Sequence, residues 1–225
     1  MGADGSEAAT ATAHERVYRQ LQGDILAGLL APGTSLTLRG LAGAMGVSMT
    51  PAREAVRRLV AERALMLTGS GRVLVPSPDA AALSELFEAR QLIEPALAAR
   101  AARAAAGDRA LLRALHGHDD RIGRAVAAGD AAAYVAANHD FHQALSLAAE
   151  APAMLALATS IWLQTAPTMR RVYGLIGTRA LEDHHAAALS ALAAGDADAV
   201  AAAIAADIAQ GAALAAEALL DPTVL

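Results

Sequence analysis

Asn138 and His142 stand four residues apart in the run NHDFHQAL, which places an amide oxygen and an imidazole on one helix face, where two ligands can grip a single ion. The alternative is a histidine satisfied inside an amphipathic helix beside Phe141. Arg53 and Arg57, in TPAREAVRR, have the same spacing. Two guanidiniums on the exposed side of a short helix suit phosphates and guanine edges, whose acceptors a fork of donors can meet two at a time; a solvated basic face is the plainer reading. Further on, Thr68-Gly69-Ser70-Gly71-Arg72 forms a glycine-rich tip with one cation between two short apolar runs. Such a tip can lie along a groove.

The elements that must hold these groups follow from periodicity. Thr50 as N-cap and Pro51 at the first helical position open a helix without wasting a backbone donor. Ala52, Ala55, Val56, Leu59 and Val60 then repeat at three-and-four spacing and form its buried face, while Glu54 and Arg58 make an i,i+4 pair. The preceding short helix buries Leu38, Leu41, Ala42 and Met45; Gly46 ends it with a positive φ, and Val47-Ser48 turns the chain. Upstream, Val17, Leu21 and Ile25 mark a helix from about His14 to Gly28 that Ala31-Pro32-Gly33 terminates. Downstream, residues 65–67 and 73–75 read as two strands around the glycine-rich tip. The order is that of a winged helix-turn-helix with a small β-hairpin wing, spanning 14–75. Residues 1–13 are small, polar and aperiodic, and are expected to be disordered.

Pro76-Ser77-Pro78 is a linker, and no convincing strand follows it. Residues 79–220 divide into about six alanine-rich helices at Gly107-Asp108, Gly129-Asp130, Ala151-Pro152, Gly177-Thr178 and Gly195-Asp196. A glycine at one helix end and an aspartate capping the next make such dipeptides corners. Pro95 and Pro167 fall inside helical patterns and should kink or locally break them. The expected fold is mainly α: the winged domain, an all-α bundle, and a short tail over 221–225.

Composition bounds the function. There is no cysteine, so disulfides and thiolate metal sites are excluded. No charged start with an apolar core marks a signal peptide, and no apolar run long enough to span a membrane lacks a polar break, so a soluble, cytoplasmic protein is expected. The net charge of -5 hides an asymmetry: residues 36–72 carry six Arg against two Glu, whereas residues 79–225 carry ten Arg against seventeen acids. The two parts therefore have opposite electrostatic roles. The sequence has no HExxH, GxSxG, P-loop or dinucleotide fingerprint, and no organic cofactor is expected.

The run Ala31-Pro32-Gly33, Leu36, Leu41-Ala42, Gly46-Val47-Ser48, Thr50-Pro51-Ala52-Arg53-Glu54-Ala55 and Leu59 resembles the signature of GntR-type bacterial transcription regulators. The resemblance implies that Arg39, Ser48, Thr50 and Arg53 contact phosphates and bases of double-stranded operator DNA, and that Gly71 and Arg72 reach the minor groove. Met49 departs from it, standing where the family usually has an arginine, which implies an altered or weaker operator preference.

The segments EARQLIE (88–94) and NHDFHQAL (138–145), with His185 followed by Ala191, Leu192 and Gly195-Asp196, resemble the FCD effector domain of the FadR-type branch. That likeness implies a divalent metal, zinc, nickel or manganese, held by Asn138, His142, His185 and Asp207, the last in place of a usual histidine. His184 is a substitute ligand or a neighbour. Arg90 falls where the branch places a cavity arginine able to hold a carboxylate; a structural pair with Glu94 is the alternative. Trp162, Gln164, Arg170 and Tyr173 are candidates to line the same cavity, and His116, His118 and His139 are taken as surface or supporting residues. The function implied is a homodimeric repressor released by a small organic acid. The competing reading is a metal-dependent enzyme using His142, His185 and Asp207 around an activated water.

Overall fold

The computed structural model describes residues 13–178 and 181–218; the expectations for residues 1–12 and for the 221–225 tail lie outside them. Ala13 already belongs to α1 (Ala13–Leu26), which buries Val17, Tyr18, Leu21 and Ile25. β1 (Ser35–Thr37) leads into α2 (Leu38–Ala44), whose N-cap Thr37 accepts the Gly40 N–H at 3.0 Å. Gly46, with φ +63°, turns the chain into α3 (Met49–Ala61), and β2 (Met66–Leu67) and β3 (Arg72–Leu74) form the wing. The sheet is antiparallel in the order β1-β3-β2, with Ser35 opposite Leu74 and Leu67 opposite Val73. The hairpin is therefore completed by a third strand, which three residues of sequence are too short to announce.

Two local expectations are corrected in α3. Its N-cap is Ser48 rather than Thr50, so Pro51 occupies the third helical position. Proline is tolerated there because N–H groups of the first turn have no intrahelical acceptor in any case. The Glu54–Arg58 pair does not form. Arg58 lies over the Tyr18 ring, 3.7 Å from its centroid, and reaches Glu62 at 3.2 Å and Glu15 at 3.1 Å, while Glu54 meets Arg57 at 3.6 Å. An aromatic face and two carboxylates outweigh one exposed pair. The predicted buried face is otherwise as expected, with Ala52, Ala55, Val56 and Leu59 buried.

The remaining described helices are α4 (Ala80–Ala104), α5 (Arg109–Ala128), α6 (Ala131–Leu147), α7 (Pro152–Ile176), α8 (His184–Ala194) and α9 (Ala197–Ala218). Their corners are chemically explicit. Gly129 (φ +68°) and Gly195 (φ +74°) end helices in the left-handed region, and Asp79, Asp108, Asp130, Asp183 and Asp196 each accept first-turn N–H groups. Pro95 and Pro167 do not break α4 and α7, which run on for 25 residues each. Pro167 is buried in the bundle, where side-chain packing on either side of one missing backbone bond holds the helix together.

Leucines, alanines and a few aromatics form the bundle core, and a second core lies between α1, α3 and the sheet. Leu163 of α7 belongs to this second core, so one helix is shared by both. α9 is long and apolar enough to cross a membrane by length and composition, yet here it packs on α4 and α8 and turns Asp207 into the interior. Asp130 accepts from the N–H groups of Ala132 and Ala133, both at 3.0 Å. Asp130→Ala should therefore cost about 1 kcal/mol, read as a lower urea midpoint with an unchanged slope.

Candidate effector and metal site, and the DNA-facing surface

Four helices deliver charged side chains to one point inside the bundle. α4 supplies Arg90 and Glu94, α6 supplies Asn138 and His142, α8 supplies His185 at its second position, and α9 supplies Asp207; all are buried. His142 is gripped from both sides, with Nδ1 2.7 Å from Glu94 Oε2 and Nε2 3.0 Å from Asp207 Oδ2. Arg90 closes the chain, giving Nε to Glu94 Oε1 at 2.5 Å and Nη2 to Oε2 at 3.3 Å. Its guanidinium also stacks 3.9 Å from the Trp162 ring centroid.

Charge balance explains why the cluster can be buried. Burial pushes the Glu94 carboxyl up, but the charges of Arg90 and His142 and the hydrogen bonds from both bring it down to about 2. Burial pushes His142 down, and the two carboxylates outweigh that, raising it to about 9. Asp207 is likewise held well below the usual carboxylate range against burial, by His142, His185 and Arg90. Burial depresses His185, against the opposing pull of the Asp207 carboxylate. Two cations face two anions.

The donor set is also of a kind that could hold a metal ion. One ligand atom from each of His142, His185 and Asp207 lies within 4.8 Å of the others. His185 Nε2 and Asn138 Oδ1 are buried without a hydrogen-bond partner, two unmet groups of the kind a cation satisfies. Glu94 on His142 Nδ1 holds the imidazole with Nε2 toward Asp207, as a carboxylate behind a ligating imidazole would. The set has two imidazoles, a carboxylate and an amide, within reach of zinc, nickel or manganese. His184 is not part of it; its Nε2 points to Glu182 at 3.8 Å. Neither His116 nor His118 belongs to the cluster, His118 being engaged by Arg121. His139 is buried against Trp162, at 5.2 Å between ring centroids, rather than on the surface.

Beside the cluster is a cavity of about 20 Å³, room for about one water-sized group, bounded by Arg90, Tyr134, Asn138, Trp162, Met169, Tyr173 and Asp207. Trp162 and Tyr173 thus line it as expected. Gln164 instead donates to the Ser160 carbonyl at 3.0 Å, and Arg170 donates to the Gly28 carbonyl at 2.6 Å in the other domain. Arg90 both faces the cavity and is paired with Glu94, so the structural reading of this residue holds, and an incoming carboxylate would have to compete with Glu94. The residue that sequence reasoning undervalued is Glu94. A buried acid four residues after a buried arginine in EARQLIE was the available signal, but it pointed only to Arg90 and not across to His142.

On the winged domain, Arg39, Ser48, Thr50, Arg53, Arg57, Gly71 and Arg72 are all exposed. Ser48 makes no side-chain capping bond, which leaves its hydroxyl and the first N–H groups of α3 for a phosphate. Arg72 is less free than expected, its Nε donating to Ser35 Oγ at 2.6 Å across the β1–β3 pair.

An exposed arginine-bearing recognition helix with a wing, joined to a helical bundle with a polar centre, defines a transcription regulator that couples an operator reader to a sensor domain. The chain belongs to the GntR family, in its FadR-type branch: residues 13–75 match the model for bacterial regulatory proteins of the gntR family, and residues 85–210 match the FCD domain. It is similar to the HTH-type transcriptional regulator McbR of Escherichia coli K12, 27% identical over 170 residues that cover 75% of this chain and 76% of that protein. The solved structure of E. coli McbR/YncC superposes with a TM-score of 0.84 at 25% identity, covering 92% of this chain and 98% of that one. A putative GntR regulator from Rhodococcus sp. RHA1 shares the fold, with a TM-score of 0.75 at 23% identity over 92% and 99% of the two chains. These relatives are regulators, not enzymes, and nothing supports the metal-dependent enzyme reading.

In the ion-free protein the network's stability has a pH window. Glu94, depressed from 4.5 to about 2, contributes fully above pH 4.5 and loses its contribution as pH falls toward 2; His142, raised from 6.5 to about 9, contributes fully below pH 6.5 and loses its contribution as pH rises through 9. Glu94→Gln removes the buried counter-charge of Arg90 and leaves His142 with Asp207 alone, and should cost about 3–5 kcal/mol at pH 6. Urea titrations of chelator-treated protein at several pH values check this; an equal midpoint for wild type and variant at pH 6 would contradict it.

Proposed function

We propose that this regulator is a cytoplasmic homodimeric repressor whose bundle binds a divalent metal and a small organic acid, and that their binding resets the winged helix on DNA. The observation that carries the reading is the double attachment of α7. Trp162 faces the cavity and stacks under Arg90, while the adjacent Leu163 packs in the core of the winged domain. On the same helix, Ser160 Oγ donates to the Glu62 carbonyl just past α3 at 2.9 Å, and Arg170 holds Gly28. A change in what Trp162 touches is therefore delivered to the recognition helix through one rigid element.

His142, His185, Asp207 and Asn138 would hold the metal. When bound, the ion supplies a Lewis-acidic point for the acid's carboxylate. Arg90 and Tyr173 line the cavity on the other side and orient the acid by charge and hydrogen bonding. The cavity, with its room for about one water, is too small for an organic acid, so the ligand selects an opened arrangement. That is a shift of population between two packings of α7. In a dimer, moving both winged domains alters the spacing of the two recognition helices, and with it operator affinity.

Calorimetric titration of chelator-stripped protein with zinc, nickel and manganese tests the site. About one ion per chain is expected, with affinity reduced at least tenfold in His142→Ala and Asp207→Ala; absence of binding overturns the metal reading. Arg53→Ala should weaken operator binding roughly tenfold or more and lessen its salt dependence, with thermal stability unchanged. Arg170→Ala should keep wild-type metal affinity yet reduce the change in operator affinity on metal and acid binding, measured by fluorescence anisotropy. A full response in that variant would contradict the α7 route.

A further inference from the structure

The DNA-facing end of α3 carries an apolar side chain among polar ones. Met49, the first residue of the helix, is 37% exposed. Ser48 and Thr50 on either side are exposed, and Arg53 and Arg57 follow at one and two i,i+4 steps, so Met49 heads the same stripe as the two arginines. Packing does not account for it, because the buried face of α3 consists of Ala52, Ala55, Val56 and Leu59.

N-terminal residues of a recognition helix are those that reach base edges in the major groove. A thioether side chain has no strong donor or acceptor, so it cannot read the polar pattern of guanine, cytosine or adenine. The C5-methyl of thymine is the one apolar group that unmodified base pairs present in the major groove, and a flexible, polarisable methionine can follow it.

Resting on the DNA-binding reading, we infer that Met49 is a specificity-determining residue that reads a thymine methyl in each half-site, flanked by phosphate and base contacts from Ser48, Thr50 and Arg53. The half-site consequently carries a T·A pair at the position that Met49 faces. An arginine at the same place would select guanine through its O6 and N7 acceptors.

The operator is found within the test itself. The full chain selects sites from a random duplex library, and each thymine of the selected half-site is then replaced by deoxyuridine, which removes only the methyl. At one thymine, wild type should lose about fourfold in affinity per half-site, the equivalent of about 0.8 kcal/mol for a buried methylene. Met49→Ala should lose less than about 1.5-fold there while keeping the wild-type melting temperature, and Met49→Arg should select G at that position. If every thymine-to-uridine loss is the same in wild type and Met49→Ala, or if Met49→Arg selects the wild-type sequence, the inference is overturned. Failure of wild type to select any sequence would instead overturn the DNA-binding reading on which it rests.

Discussion

Glu94 and Asp207 are carboxylates inside a helical bundle, and a bundle interior tolerates such groups only when their charges are neutralised and their oxygens hydrogen-bonded. His142 between them and Arg90 beyond Glu94 provide that neutralisation, and four helices must meet in one register for the bonds to close. An alanine-rich core with few aromatics has little shape of its own with which to fix helix positions. The polar centre supplies a directional constraint that alanine contacts lack. His142 Nε2, 3.0 Å from Asp207 Oδ2, supplies the counter-charge for that carboxylate, and under the proposed function a cation among His142, His185 and Asp207 would do the same.

Specification at the centre becomes useful through α7. Helices are stiff along their axis, and the side chains of adjacent residues point in different directions, so Trp162 can lie against the sensor cavity while Leu163 lies in the winged domain. Gly28 makes the joint close. Its φ of +63° suits glycine, and a Cβ there would fall 2.6 Å from Arg170 Cβ. The winged domain is thus docked on α7 through the Arg170–Gly28 and Ser160–Glu62 hydrogen bonds and the side chain of Leu163.

Much of this was legible in the sequence, for reasons that differ by region. The recognition helix announced its buried face because four of its core residues recur at helical spacing, and the bundle announced its corners because Gly-Asp pairs end one helix and cap the next. The start of α3 was misplaced by two residues because Ser48 and Thr50 are both competent N-caps and Pro51 is tolerated anywhere in the first turn. β1 was missed because three residues carry no period. In the site, the Asn138/His142 spacing put both groups on one face of α6, but bringing His185 and Asp207 to them is a tertiary event that spacing cannot supply. It came from family likeness, and the structure assembles His142, His185 and Asp207. Arg58 shows the limit of i,i+4 reasoning: it takes Glu62 rather than Glu54 at that spacing, and its other partners, Tyr18 and Glu15, lie on another helix.

The central claim is that the state of the buried cluster sets the placement of the winged domain through α7. Because the chain has no cysteine, single cysteines at exposed Arg63, just past α3, and Arg113 on α5 can carry a pair of spin labels without further engineering. The most direct measurement is the distribution of distances between those labels by pulsed dipolar spectroscopy, in chelator-stripped and zinc-saturated protein. A shift or narrowing on zinc binding, abolished by Asp207→Ala and reduced by Arg170→Ala, is the predicted result. Superimposable distributions in the stripped and zinc-bound states, with binding itself confirmed in the same samples, would contradict the account.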